Sequence, residues 1–168
     1  MSRTTWSNVD AERLEISEGN TAVCVKQGGA AAAFGDPILA SGRHSWTIKI
    51  AASFEASGDG MLIGVAEAAE DGKGKCWGLY PLTGQVYTST NGGLTLGAST
   101  KAKPVAAPLR GGAAAGALVR VTADLDRHTL AFAVNDGSEV DSGVTLPSAV
   151  RPYALLCFEG DVLQFVES

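Results

Sequence analysis

Wherever the chain is regular, hydrophobic and polar side chains alternate every second residue. Across His44-Ser-Trp-Thr-Ile-Lys-Ile50, the residues Trp46, Ile48 and Ile50 share one face while Ser45, Thr47 and Lys49 share the other, the pattern of a half-buried strand. Val119, Val121, Ala123 and Leu125 alternate with Arg120, Thr122 and Asp124. After Asp126-Arg127-His128, Leu130, Phe132 and Val134 alternate with Ala131 and Ala133. Two strands joined by a short connection are predicted. Asn135-Asp136-Gly137 tolerates positive φ and suits a tight reversal into a third strand over Val140 to Val144. An antiparallel meander results.

Shorter strand candidates recur at the spacing of a sandwich: Arg13 to Ile16, Thr21 to Lys26, Met61 to Ala66, Cys76 to Tyr80, Gln85 to Ser89, Tyr153 to Phe158 and Val162 to Val166. Turn residues such as Glu18-Gly-Asn20, Gly58-Asp-Gly60, Thr83-Gly84 and Glu159-Gly-Asp161 separate them. The Ala runs, Ala30 to Ala33 and Ala113 to Ala115, sit beside Gly pairs and fall short of the ~12 residues an isolated helix needs, so they read as loop or strand edge. Gly97 to Gly112 has no pattern and reads as an exposed, mobile loop. Trp46, Phe54, Tyr87, Phe132 and Phe165 have core-like phase in predicted strands. Phe34, Tyr80 and Phe158 lie nearer turns, where an aromatic is a lid on the core or an anchor for a partner. The expected architecture is an all-β, two-sheet antiparallel sandwich forming a single domain over 1–168.

Composition narrows the class. The 168 residues suit one core. Net charge is −5, and the cations are scattered singly, so nothing resembles the basic stripe that nucleic acid demands. Residues 1–118 balance ten cations against ten anions, whereas 119–168 carry three against eight. The net negative charge therefore sits in the last third. No apolar stretch approaches the ~20 residues that span a bilayer, and Gly111 to Val119 stops at Arg120. The N-terminus has no apolar segment of the kind a secretory signal carries. A cytoplasmic, monomeric protein with neither membrane nor nucleic-acid partner is expected. Cys24, Cys76 and Cys157 are odd in number and form no CxxC pair, which favours buried thiols over a disulfide framework or a zinc site.

Candidate chemistry is sparse. His44 and His128 belong to no HExxH or i, i+4 metal pair and read as structural histidines. A Cys76–His hydrolase is the enzymatic alternative, with a buried thiol the preferred reading. Asp71-Gly-Lys-Gly-Lys75 lacks the full phosphate-loop pattern, because Cys76 follows Lys75; a charged surface turn is preferred. The pairs Asp124/Asp126 and Glu159/Asp161 fit glycosidase carboxylates or a calcium site in residue type, yet structural ion pairing with Arg127 or Arg151 is preferred. No cofactor, metal site or catalytic residue is called.

One segment is more specific. Gly116-Ala-Leu-Val-Arg-Val-Thr-Ala-Asp-Leu-Asp-Arg-His-Thr-Leu-Ala-Phe-Ala-Val-Asn-Asp-Gly137 resembles the signature of the SPRY domain, G-D-x-V-G-V-x-L-D-x-D-x-G-T-L-x-F-x-x-N-G. It agrees at Gly116, Val119, Val121, Asp124, Asp126, Thr129, Leu130, Phe132, Asn135 and Gly137. Ser41-Gly-Arg-His-Ser-Trp46, Ile63-Gly-Val-Ala66, Trp77-Gly78 with Gln85-Val-Tyr87, and Leu146 to Tyr153 resemble further pieces in the family's order. The resemblance runs from about Trp6 onward. Ala117, Arg120, Thr47 and His128 depart from it. His128 stands where the family has Gly, so positive φ is expected there at about 1 kcal/mol.

The resemblance implies a bent sandwich of the SPRY or concanavalin-like architecture that acts as a protein interaction module, not an enzyme. Loops at one end are implied to form a shallow pocket for a peptide or a partner surface. Carried over by position, that pocket takes Glu67 to Lys75 (with Glu70, Asp71 and Lys73), the late turn Phe158-Glu159-Gly160, and Phe34-Gly35-Asp36-Pro37 as a further wall (with Phe34 and Asp36); Tyr80 completes the candidate set. Glu159 and Asp161 would make the pocket acidic, which favours a ligand with Lys or Arg beside an apolar anchor. The alternative is a carbohydrate-binding, lectin-like sandwich stacking a sugar on Tyr80 or Phe158.

Overall fold

A computed structural model describes residues 3–26, 28–69, 74–90, 95–99, 104–109 and 112–167. It contains β1 (Thr5–Val9), β2 (Leu14–Ser17), β3 (Thr21–Cys24), β4 (Ala31–Asp36), β5 (Arg43–Ala52), β6 (Leu62–Glu67), β7 (Cys76–Tyr80), β8 (Gln85–Thr90), β9 (Thr95–Ser99), β10 (Leu118–Asp124), β11 (Thr129–Val134), β12 (Val140–Thr145), β13 (Val150–Leu156) and β14 (Val162–Val166). A short 3-10 turn, Phe54–Ala56, is the one helical piece among the described residues. None of them forms a helix long and apolar enough to cross a membrane. The strands make two seven-stranded sheets, ordered β1-β4-β13-β6-β7-β8-β9 and β12-β11-β10-β5-β14-β3-β2, with every named pairing antiparallel. The expected all-β sandwich is the observed fold.

The alternation read from the sequence accounts for the core. Trp46, Ile48 and Ile50 of β5, Val119, Val121 and Ala123 of β10, and Leu130 and Phe132 of β11 join one buried cluster with Ile63 and Val65 of β6 and Trp77 and Leu79 of β7. Burying each large aliphatic or aromatic chain contributes about 1.5 to 3 kcal/mol. The β10–β11 meander pairs in unbroken register from Val119↔Val134 to Asp124↔Thr129. His128, in its tight connection, has φ 58°, as expected. Its ring Nδ1 lies 3.0 Å from the Leu146 carbonyl, which helps hold the strained turn.

The motif glycines have a physical role. Gly64 and Gly78 lie directly opposite each other on β6 and β7. A Cβ on Gly64 would strike the Trp77 carbonyl oxygen, and one on Gly78 would come within 2.8 Å of Leu62 Cβ. Pairing continues from them to Tyr153 on β13 and Tyr87 on β8. The outer face of this sheet thus carries Phe34, Tyr153 and Tyr87 in one row, with bare backbone between the tyrosines. Tyr153 is 0 % exposed there and forms a second cluster with Leu62, Ala66, Cys76 and Leu155.

Four expectations are corrected. Ala30 to Ala33 is not loop or edge, because β4 lies inside its sheet between β1 and β13. Gly35 lies against the Phe165 ring, which packs on Trp6 of β1 with centroids 4.2 Å apart, and a Cβ there would reach 3.3 Å from that ring. Within 97–112, the described part is only partly an exposed loop: Pro104, Ala107 and Gly112 are exposed, but the stretch is not patternless. Thr95–Ser99 is a strand, and buried Val105 and Leu109 are held by backbone bonds to Gly84 (2.9 Å) and Pro81 (3.1 Å). Phe54 is in an exposed turn rather than a core strand, and Tyr87 is half-buried on the outer face of its sheet. The acid pair Asp124/Asp126 does not serve ion pairing with Arg127. Asp124 Oδ1 accepts the backbone N–H groups of Asp126 and Arg127 and so closes its own turn, while Asp126 Oδ1 accepts that of Gly42 and ties this turn to the loop before β5.

Candidate functional site

The site candidates divide between opposite ends of the sandwich. β4 and β13 run antiparallel, with Phe34 opposite Tyr153 and Ala31 opposite Leu156. Asp36 therefore sits at the end where β13 begins, and Phe158 beyond the end where it finishes. Arg151 binds Asp36 at 3.1 Å, donates to the Gly35 carbonyl and lies over the Phe34 ring at 5.8 Å. Asp36 and Phe34 are therefore joined by one guanidinium. Tyr80, Phe158, Glu159 and Gly160 gather at the far end instead. Glu70, Asp71 and Lys73 lie outside the described residues.

The far end is the more fully built. Beyond β5, Ser53 Oγ accepts the Gly58 N–H (2.9 Å), and Ser57 Oγ donates to the Phe54 carbonyl (2.9 Å), so short polar side chains close the turn on itself. Asp161 fastens this turn to the one before β14. Its Oδ1 accepts the Phe54 N–H at 3.0 Å and its Oδ2 the Phe158 N–H at 3.1 Å, while the residue is 0 % exposed. Burial raises the Asp161 carboxyl pKa, and the backbone donors at Phe158 and Phe54 pull it back down.

That fastening brings two rings together. Phe54 and Phe158 stack at 4.4 Å between centroids with planes 20° apart, and Phe54 remains 44 % exposed. Gly60 passes beneath them with φ +70°, and a Cβ there would meet Phe158 Cε2 at 2.7 Å and Cys157 Cβ at 2.9 Å. Glu55 and Ala56, successive residues without glycine's freedom, hold φ of 52° and 51°. Each costs about 1–2 kcal/mol. Strain of that kind concentrates where a surface must keep a particular shape.

Charge around the rings is negative. Glu55 and Glu159 are exposed, and Asp59 lies beside them in the same turn system. Tyr80 donates its hydroxyl to Asp59 Oδ1 and packs 5.7 Å from Tyr87. Burial, then the Asp59 hydrogen bond, pushes the Tyr80 pKa up to about 12, so it stays a neutral donor. The two rings considered as sugar platforms are thus engaged, Tyr80 with Asp59 and Phe158 with Phe54. The acidity differs from expectation in one respect. Asp161 is buried and bonded to backbone, so Glu159 and Glu55 carry the exposed charge. Sequence phase placed Phe54 in the core; the signal that would have relocated it is Ser53 with Ser57-Gly58-Asp59-Gly60 around it, a turn-forming set.

The enzymatic alternatives find no constellation among the described residues. Burial pushes the Cys76 thiol up to about 12, and the groups acting on it are Ser89, Tyr153 and Glu67, not a histidine. His44 Nε2 is 2.7 Å from the Ser41 carbonyl. No group of three metal-ligating side chains occurs among them.

The two seven-stranded antiparallel sheets form a sandwich whose fold is similar to that of SPRY domains. Two solved structures share the fold: the SPRY domain of human HERC1, at 12 % identity over 95 % of this chain and 98 % of that one with a TM-score of 0.61, and the TRIM65 PSpry domain, at 14 % identity over 99 % and 93 % with a TM-score of 0.62. No family profile and no curated protein matches the sequence.

Proposed function

We propose that this domain is a protein-recognition module, acting as an adaptor that grips a partner segment at the end built by 53–60, Tyr80 and 157–161. The Phe54–Phe158 stack on a strained turn, with Phe54 exposed and Phe158 half-buried, is the observation that carries the reading. An apolar side chain of the partner packs on these rings, and a neighbouring Lys or Arg meets Glu55 and Glu159. The SPRY-like fold supports the same reading, because it offers a rigid scaffold with projecting turns and the described residues include no reactive constellation. Three cysteines without disulfides fit a reducing compartment, and we place the protein in the cytoplasm.

Arrayed twelve-residue peptides test this, pairing Leu or Phe with Lys or Arg against the same peptides with Glu in place of the basic residue. Retention of the basic set, a loss of roughly tenfold or more in Phe158→Ala, and a weaker salt dependence in Glu159→Lys are expected. Retention that ignores both the peptide charge and Phe158→Ala would overturn the proposal.

A further inference from the structure

A cavity of about 320 Å³ lies on the outer face of the sheet that holds β5, β10, β11 and β12, the face turned away from Trp46, Val121 and Phe132. Strand register decides which side chains meet there. Arg43, Asp124 and Thr129 stand abreast on β5, β10 and β11, and Ser45, Thr122, Ala131 and Asp141 form the next row out to β12. Between Thr129↔Thr145 and Ala131↔Asp141, three residues of β12 stand opposite Leu130 alone, so β12 bulges beside the cavity. Bulges of this kind re-aim side chains next to binding sites. Small Ala131 gives the floor, and Arg127 and Glu139 complete the walls.

The polar lining is fixed before anything enters. Thr122 Oγ1 gives its proton to Glu139 Oε2 at 2.7 Å, so the Ser45 hydroxyl, 2.9 Å away, donates to Thr122. Glu139 Oε1 accepts from Arg43 at 3.0 Å, and Arg120 lies 3.7 Å from Oε2. The Thr122 hydrogen bond, opposed by burial and aided by Arg43, lowers the Glu139 pKa, so this carboxylate stays charged. Asp124 is pinned by the two backbone N–H groups on its Oδ1, which leaves Oδ2 as an open acceptor. Exposed ion pairs contribute little to stability, whereas side chains already held in place lose little freedom when a ligand binds.

The charges also define the kind of ligand that fits. Carboxylates at Asp124, Glu139 and Asp141 are matched by guanidiniums at Arg43, Arg127 and Arg120, so an ion of either sign meets repulsion as near as attraction. Arg127 is exposed and enters no ion pair among the described residues. A hydroxyl group has no such conflict, because it donates to a carboxylate and accepts from a guanidinium at once. We propose that this cavity binds a neutral sugar ring, the terminal unit of a glycan. Asp124 Oδ2 accepts from one ring hydroxyl, Arg127 and Thr129 donate to its neighbours, and the C–H face of the ring rests on Ala131. The volume, at the small end of ligand pockets, suits a single ring. This site shares no residue with the aromatic pair, so either assignment stands if the other fails.

The test titrates the whole ¹⁵N-labelled chain with the methyl glycosides of glucose, mannose, galactose, fucose and N-acetylglucosamine. Sodium acetate and methylammonium chloride serve as ionic controls. At least one glycoside is expected to move the amides of Thr122, Asp124, Thr129 and Ala131 saturably while those of Glu55 and Phe158 stay in place, and the two ions are expected to leave all of them unmoved. Arg127→Gln and Thr129→Val, whose side chains hold no turn or strand together, should each weaken that glycoside at least roughly tenfold. No movement with any glycoside, equal movement with either ion, or unchanged glycoside binding in either variant would each overturn the assignment.

Discussion

Replacing Asp161 with Ala removes the acceptor for two backbone donors in different turns, Phe54 N–H at 3.0 Å and Phe158 N–H at 3.1 Å. Each stranded donor costs about 1–3 kcal/mol, about 2–6 kcal/mol for the two, while the same change relieves a desolvated carboxylate, so the net loss is expected near the low end, about 2–3 kcal/mol. At this chain length that corresponds to a fall in Tm of roughly 4–12 °C. Asp161→Asn keeps one acceptor oxygen and presents an amide to the other N–H, so about half the loss is expected. The pH dependence has a definite sign. The folded state raises the Asp161 pKa and so holds its proton more tightly than the unfolded chain does. Its contribution is therefore fully present in acid, declines as pH rises from the ordinary carboxylate value through the raised one, and is flat above. The deficit of Asp161→Asn should be largest in acid and narrow toward neutrality. Urea unfolding followed by tryptophan fluorescence at several pH values measures it. An Asp161→Ala protein within about 1 kcal/mol of wild type, or an Asn deficit that widens toward pH 7, would refute the role of Asp161 as the fastening between the turns.

Two further outcomes test the outer face of the sheet that holds β6 and β7. Tyr153 is fully buried with its hydroxyl beside Ser89 and Cys76 but in no hydrogen bond of good geometry, so Tyr153→Phe should change stability by no more than about 1 kcal/mol in urea unfolding; a larger loss would mean that the contact with Ser89 and Cys76 is a full hydrogen bond. Burial pushes Cys76 to about 12 and Cys157 to about 11 and raises Cys24, so iodoacetamide at pH 8 should leave all three unmodified until the protein is unfolded, as read by mass spectrometry, and rapid labelling of native protein would contradict this.

The elements legible in the sequence are those whose side chains alternate in size as well as polarity. β5, β10 and β11 are of this kind, since Trp46, Ile48, Ile50, Val121 and Phe132 are large against small or polar neighbours. β4 was illegible because its inward residues, Ala31, Ala33 and Gly35, are small and show no bulky alternation, and at Gly35 the neighbour that requires this, Phe165, comes from a distant part of the chain. β1 hid for the complementary reason, as its single large inward side chain, Trp6, shows no repeat. At the site, Phe158 and Glu159 followed from their place in a family pattern. The pairing of Phe158 with Phe54 did not, because it depends on a carboxylate 107 residues from one of the amides it binds. The opposite placement of Asp36 and Phe158 was likewise hidden in the direction of β4 against β13, a fact of topology that local spacing does not carry.

The contact between Trp6 and Phe165, together with Arg3 reaching to 3.7 Å from Glu167, brings the first and last described segments to one place on the surface. A body whose polypeptide comes in and goes out through a single doorway can be spliced into a loop of another protein without prising that loop apart, and a pull on both tails loads one seam while the rest of the sandwich goes untouched.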